Sequence, residues 1–162
     1  MLLLLLPSLS ACQSMRSEQA PSTSAVAIAR QAGESAYAAG EWAAAEPHYS
    51  TLVAAIPQDA ELWFRLGNIY ARMDRPDAAI AAYREALVRD SDLAKAWFNM
   101  GVVQLRQAAN SFLKMKVHSP AGDPVAAQGA ATYDAIMAIL GQQDRPSADP
   151  ALPGDVDELP AP

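Results

Sequence analysis

The stretch AELWFRLGNIYARMDRPDAAIAAYREALVRDSDL, residues 60–93, reads as two short helices joined by a turn, and it decides the fold. In its first half Trp63, Leu66, Gly67 and Tyr70 recur at i, i+3, i+4 and i+7, one face of a helix. In its second half Ala79, Tyr83, Ala86 and Leu87 line one face of another. Gly67 and Ala79 are small enough to let the two helices approach. Tyr70 and Tyr83 fill the space beside them.

Shifting the frame by one unit length tests whether this unit is alone. Backward, Gly67 maps to Gly33, Asp74 to Gly40, Ala79 to Ala45, Tyr83 to Tyr49 and Ser91 to Pro57. Residues 26–59 thus form a first unit, alanine-rich in its first helix. Pro47 falls inside its second helix, where the missing donor predicts a kink near Ala43. Forward, Trp63, Phe64 and Gly67 map to Trp97, Phe98 and Gly101, so a third unit opens at Ala94 and then departs. No glycine marks a turn near Ala108, and Val117 stands where an aromatic is expected. Gly129 and Tyr133 restore the small-xxx-aromatic step late, with the aromatic at Tyr133 instead of Val117, which implies an insertion near 108–123. Asp123-Pro124 reads as a helix cap with proline in the first turn, and Gly141 as a stop. Residues 124–140 are therefore read as the displaced second helix of unit three or as a capping helix.

The residues Trp63, Leu66, Gly67, Tyr70, Ala79, Tyr83 and Ala86, spaced 3, 1, 3, 9, 4 and 3 apart, resemble the tetratricopeptide repeat, a 34-residue helix–turn–helix. The resemblance implies an all-α fold, a short solenoid of about three repeats at 26–59, 60–93 and 94–140. Three is near the minimum at which stacked units bury a shared core.

The flanks carry different signals. Five leucines at 2–6 lead through Pro7-Ser8 to Leu9-Ser10-Ala11-Cys12, too short an apolar run to span a bilayer and typical of an export signal. The last four residues resemble the bacterial lipobox, which implies a signal peptide at 1–11, lipidation of Cys12 with palmitate-type acyl chains, and a flexible tether at 12–25. Gln13, rather than Asp, implies the outer membrane of a Gram-negative cell, facing the periplasm. No basic segment precedes the leucines, so the true start is expected upstream of Met1, or the start is misassigned. Cys12 is the only cysteine of the chain, so no internal disulfide is available. Residues 142–162 hold five prolines and a net charge of −4, leaving −2 of the total −6 for the remainder. Residues 141–162 are therefore expected to form a disordered, acidic, proline-rich tail, and the low pI says little about what the fold binds.

Catalytic chemistry has little to stand on. His48 and His118 sit in no metal-ligand spacing, no glycine-rich phosphate loop is present, and the one thiol is the lipid site. The isolated glycines 33, 67 and 101 fall one per repeat, so packing is expected to explain them. No enzyme, metal, cofactor, small-molecule substrate or nucleic acid is expected. What remains is a groove. In the family, the first helix of each repeat lines the concave face at repeat positions 2, 5, 6, 9, 12 and 13. By register these include Arg30, Glu34 and Tyr37 in repeat 1, and Glu61, Phe64, Arg65, Asn68 and Arg72 in repeat 2. Repeat 3 contributes Lys95, Phe98, Asn99, Val102, Leu105 and Arg106.

Neither Phe64 nor Phe98 is used by the repeat's own packing pattern. Together with Arg65, Asn68, Arg72, Lys95, Asn99 and Arg106 they are expected to hold a peptide segment of a partner protein. A carboxylate clamp of the kind some family members have is not expected. Lys95 fits it and Arg30 fits in charge type, but Glu34, Arg65 and Asn99 stand where the clamp has Asn, Asn and Arg. The insertion adds Lys114, Lys116 and His118, either solubilising charges or a basic contact for an acidic protein or lipid. The expected function is a non-catalytic, outer-membrane-anchored adaptor for a cell-envelope protein, in the manner of pilus and secretion assembly lipoproteins. A regulatory lipoprotein of a cell-wall enzyme, and a soluble chaperone-like module initiated at Met15, are the alternatives.

Overall fold

The computed structural model describes residues 22–143, so the expected signal peptide, Cys12 and residues 144–162 lie outside the described residues. Residues 23–25, expected in the tether, instead open the first helix, and residues 141–143, expected in the tail, continue the last. Six helices follow one another: α1 (Thr23–Ala38), α2 (Trp42–Ala55), α3 (Ala60–Arg72), α4 (Pro76–Arg89), α5 (Ala94–His118) and α6 (Pro124–Gln143). Among the described residues there is no strand. Each helix packs against its neighbours in sequence, and α3 also meets α5, as stacked hairpins require.

The helix ends follow local chemistry. Ser22 caps α1 by accepting from the Ala25 amide, Asp59 caps α3 by accepting from Glu61 and Leu62, and Asp123 accepts from Val125 at the start of α6. Pro76 opens α4, where its missing N–H costs no helical bond. Pro47 lies within α2, which continues past it to Ala55. The turns need a left-handed residue. Gly40 (φ 70°) supplies it between α1 and α2, and Asp74 (φ 54°), at the same position one repeat later, supplies it between α3 and α4. The next position in that series is Ala108. Alanine is the best helix former and meets a steric cost of about 1–2 kcal/mol in the left-handed region. The chain does not turn there. It stays helical to His118 and turns at Gly122 (φ 83°) instead, so the insertion is absorbed as extra turns of α5. Gly141, read from sequence as a stop, lies inside α6, which runs on to Gln143.

The core is a chain of three apolar clusters. Tyr49, Leu52, Leu62, Leu66 and Ile69 anchor the first, between α1, α2 and α3. Phe64, Tyr83, Ala86, Met100 and Val103 anchor the second, between α3, α4 and α5. Val102, Ala109, Ile136 and Leu140 close α5 against α6.

The glycines of the repeat do not share one environment. A Cβ added to Gly67 would sit 2.5 Å from the ring of Tyr83, and one on Gly33 would sit 3.0 Å from His48 Cβ and 3.4 Å from Tyr49. Gly101, expected to pack likewise, has no atom within 4 Å of that position. Its would-be aromatic, Tyr133, reaches α5 further along and joins the cluster of Ile136 and Leu140.

Candidate functional site

The side of the molecule formed by α1, α3 and α5 carries the groove residues named from sequence. Its backbone is a ladder of polar side chains. Asn68 Nδ2 donates to the hydroxyl of Tyr37 at 2.9 Å, and Asn99 Nδ2 donates to Asn68 Oδ1 at 2.9 Å. The Tyr83 hydroxyl also donates to Asn68 Oδ1, at 2.8 Å. One residue thus ties α1, α3, α4 and α5 together. Tyr37, Asn68 and Asn99 stand 31 apart, three short of the repeat, so each rung lies nearly one turn earlier on its helix than the last. Asn68 is 0% and Asn99 2% exposed, which leaves their amides no water to bond and makes this pairing obligatory.

The exposed part of the face is therefore narrower than the sequence suggested. Asn68 and Asn99 are inside it. Phe64 is too: it is 0% exposed, its ring 6.0 Å from that of Tyr83, with the Lys95 ammonium 4.4 Å above it. The expectation that both phenylalanines are left over from packing fails for Phe64, because α5 lies across it. Phe98, at the same position one repeat later, is 41% exposed.

The charges form a shared system. Glu61 accepts from Arg65 Nε at 3.1 Å and pairs with Lys95 Nζ at 2.9 Å, so one carboxylate serves two cations. Burial works against the charge on Arg65, but its interactions with Tyr49 and Glu61 outweigh that, and its pKa stands above the ordinary arginine range. The Arg65 guanidinium also lies 5.4 Å over the Tyr37 ring, and that of Arg72 5.4 Å over Trp42. Arg30 and Glu34 approach to 3.9 Å at the far end. Arg72 and Arg106, equivalent positions in successive repeats, are both half-buried. Near Phe98 the face thus presents an open aromatic between Lys95 and Arg106 on one helix.

Lys114, Lys116 and His118 are exposed on the last turns of α5. Lys114 lies eight residues beyond Arg106, about 12 Å along the axis, so the insertion forms a separate surface. Among the described residues no group of His, Cys, Asp and Glu could hold a metal ion, and no helix is long and apolar enough to cross a membrane.

The ladder was missed by sequence reasoning because groove positions were taken as surface positions. Its signal was present: a polar residue recurring three short of the repeat length marks a diagonal across stacked helices. A second repeated device also went unread. The Trp63 indole N–H donates to the Pro57 carbonyl and that of Trp97 to the Ser91 carbonyl, both at 3.0 Å, pinning α3 and α5 each to the loop before it.

Two comparisons bear on this arrangement. The tetratricopeptide repeat family matches residues 30–94 and 67–110, which together span half of the chain. Over 65 residues the chain is 31% identical to the general transcriptional corepressor ssn6 of Schizosaccharomyces pombe, covering 39% of this chain and 6% of that relative. The chain therefore spans only a small fraction of that relative's length, and the likeness extends to a stretch of repeats.

Proposed function

The chain belongs to the tetratricopeptide repeat family, and from that premise we propose that it is a non-catalytic adaptor of the cell envelope, lipid-anchored at the outer membrane. It holds a peptide segment of a partner protein against the face of α1, α3 and α5. Phe98 carries this reading: a large aromatic, 41% exposed, in a row where its counterpart Phe64 is enclosed. Between Lys95 and Arg106 it offers desolvated area beside charged hydrogen-bond donors, the combination that anchors peptide segments. The anchor is supported by Leu9-Ser10-Ala11-Cys12 and by Gln13. More than one acyl chain at Cys12 gives stable attachment where a single chain would be marginal.

The test is capture of crosslinked envelope proteins with the full chain expressed from a functional start. Phe98→Ala is expected to lose the partner while helical content is kept, and Lys114→Ala/Lys116→Ala to retain it. The reverse pattern would move the working surface to the insertion. Cys12→Ser is expected to shift the protein from the detergent to the aqueous phase, and palmitate labelling that persists in Cys12→Ser would refute the anchor.

A further inference from the structure

Helix α6 runs antiparallel to α5. Gly129 near its start meets Met115 and Phe112, while Leu140 near its end shares a cluster with Val102. Phe98 precedes Val102 by four residues, hence lies one turn away on the same side of α5. The C-terminal end of α6 therefore lies level with Phe98 along α5, at the edge of the candidate face. Residues 144–162 follow, whose five carboxylates against Arg145 give a net charge of −4, with Leu152, Val156 and Leu159 interspersed.

The face has the opposite sign. At the register positions that line it, five cations, among them Lys95 and Arg106 flanking Phe98, stand against Glu34 and Glu61, a net of +3. Glu61 already serves two of the cations, so it cannot neutralise both.

We propose that residues 144–162 are the first occupant of this face: the acidic tail folds back in cis across Phe98 and the arginines of α5 and α3, and an external partner must displace it. The proposal rests on the reading of this face as a binding surface. Reach is not limiting. Nineteen extended residues span up to about 60 Å, whereas three helices packed side by side cover roughly 20 Å between the outer axes. The five prolines of the segment lower the conformational entropy it loses on docking. The tether supplies an effective concentration of order millimolar, so weak, salt-sensitive contacts suffice for occupancy. A partner then sees an affinity reduced by the fraction of molecules whose face is open, which selects for segments more acidic or more apolar than the tail.

The test places a nitroxide on the tail through Ala151→Cys, in the full chain carrying Cys12→Ser, and reads amide intensities by nuclear magnetic resonance. At low salt the amides of Phe98, Arg106 and Arg72 are expected to lose intensity while that of Thr51, on α2, keeps it. In 1 M salt, where the screening length falls to about 3 Å, the signals are expected to return. Replacing the tail charges (Asp149→Asn, Asp155→Asn, Asp157→Asn, Glu158→Gln) is expected to abolish the loss at low salt. Unchanged intensity at Phe98, or loss confined to another surface, would overturn the proposal. So would equal loss in a mixture of isotope-labelled chains without nitroxide and unlabelled chains with it, since the contact would then be between copies. If Phe98→Ala loses the envelope partner while the nitroxide leaves Phe98 untouched, the tail reading fails alone. If the tail docks and Phe98→Ala keeps the partner, the adaptor reading fails alone.

Discussion

The second and third repeats carry the same three residues at the same positions, Trp63/Trp97, Phe64/Phe98 and Gly67/Gly101, and the structure treats them oppositely. In the second, Arg89 lies 4.9 Å over Trp63, α5 covers Phe64, and Tyr83 fills the space above Gly67. In the third, Trp97 is 54% exposed, Phe98 is open, and nothing approaches Gly101. The difference originates away from those residues. Asp74 allows the chain to turn after α3, Ala108 does not after the equivalent stretch of α5, and the second helix of the third repeat arrives late and displaced. A packing residue in one repeat becomes a surface residue in the next. In a solenoid, a side chain's environment is set by the neighbouring unit as much as by its own position.

The comparison can be broken most forcefully at the ladder that joins the repeats. Asn68→Ala removes one hydrogen bond from each of three buried residues, Tyr37, Tyr83 and Asn99. At about 1 kcal/mol for each hydrogen bond lost, the expected loss is about 3 kcal/mol. Asn99→Ala, at the end of the ladder, removes one bond and should cost about 1 kcal/mol. Chemical denaturation measures both, and equal losses would mean that Asn68 is not the hub. Next in size comes Gly67→Leu. Even the first added carbon meets Tyr83 at 2.5 Å, so overpacking should cost about 1–3 kcal/mol or more. The smallest effect has the opposite sign. Gly101→Ala adds a carbon where nothing stands and relieves a glycine inside a helix, so a gain of about 0.5–1 kcal/mol is expected. Thermal unfolding of the Gly67 and Gly101 variants side by side sharpens the contrast, and shifts of the same sign would place the two glycines in equivalent sites.

Much of the fold was legible because it is written in side-chain period and turn chemistry. Trp63, Gly67 and Tyr83 specify a helical hairpin, Asp123-Pro124 announces α6, and the absence of glycine at Ala108 foretold the departure of the third repeat. The candidate face was less legible. Register alone names which residues point toward it, but not how deep they lie. Phe64 and Asn68 are buried under α5, and Asn99 of α5 is buried against α3, facts that depend on how helices from successive repeats pack together. The exposure of Phe98 likewise depends on how much of α5 the neighbouring helices cover, which no local pattern records. The position of α6 along α5 was fixed by Met115, Phe112 and Leu140, none of which belongs to the repeat's signature.

The most direct test of this division between a closed second repeat and an open third is the paired unfolding of Phe64→Ala and Phe98→Ala. Phe64→Ala empties an enclosed site and should lose about 3–5 kcal/mol of stability. Phe98→Ala truncates a half-open surface side chain and should change stability by no more than about 0.5 kcal/mol. Comparable losses in the two variants would contradict the account, because Phe98 would then belong to the core and not to a surface kept for a partner.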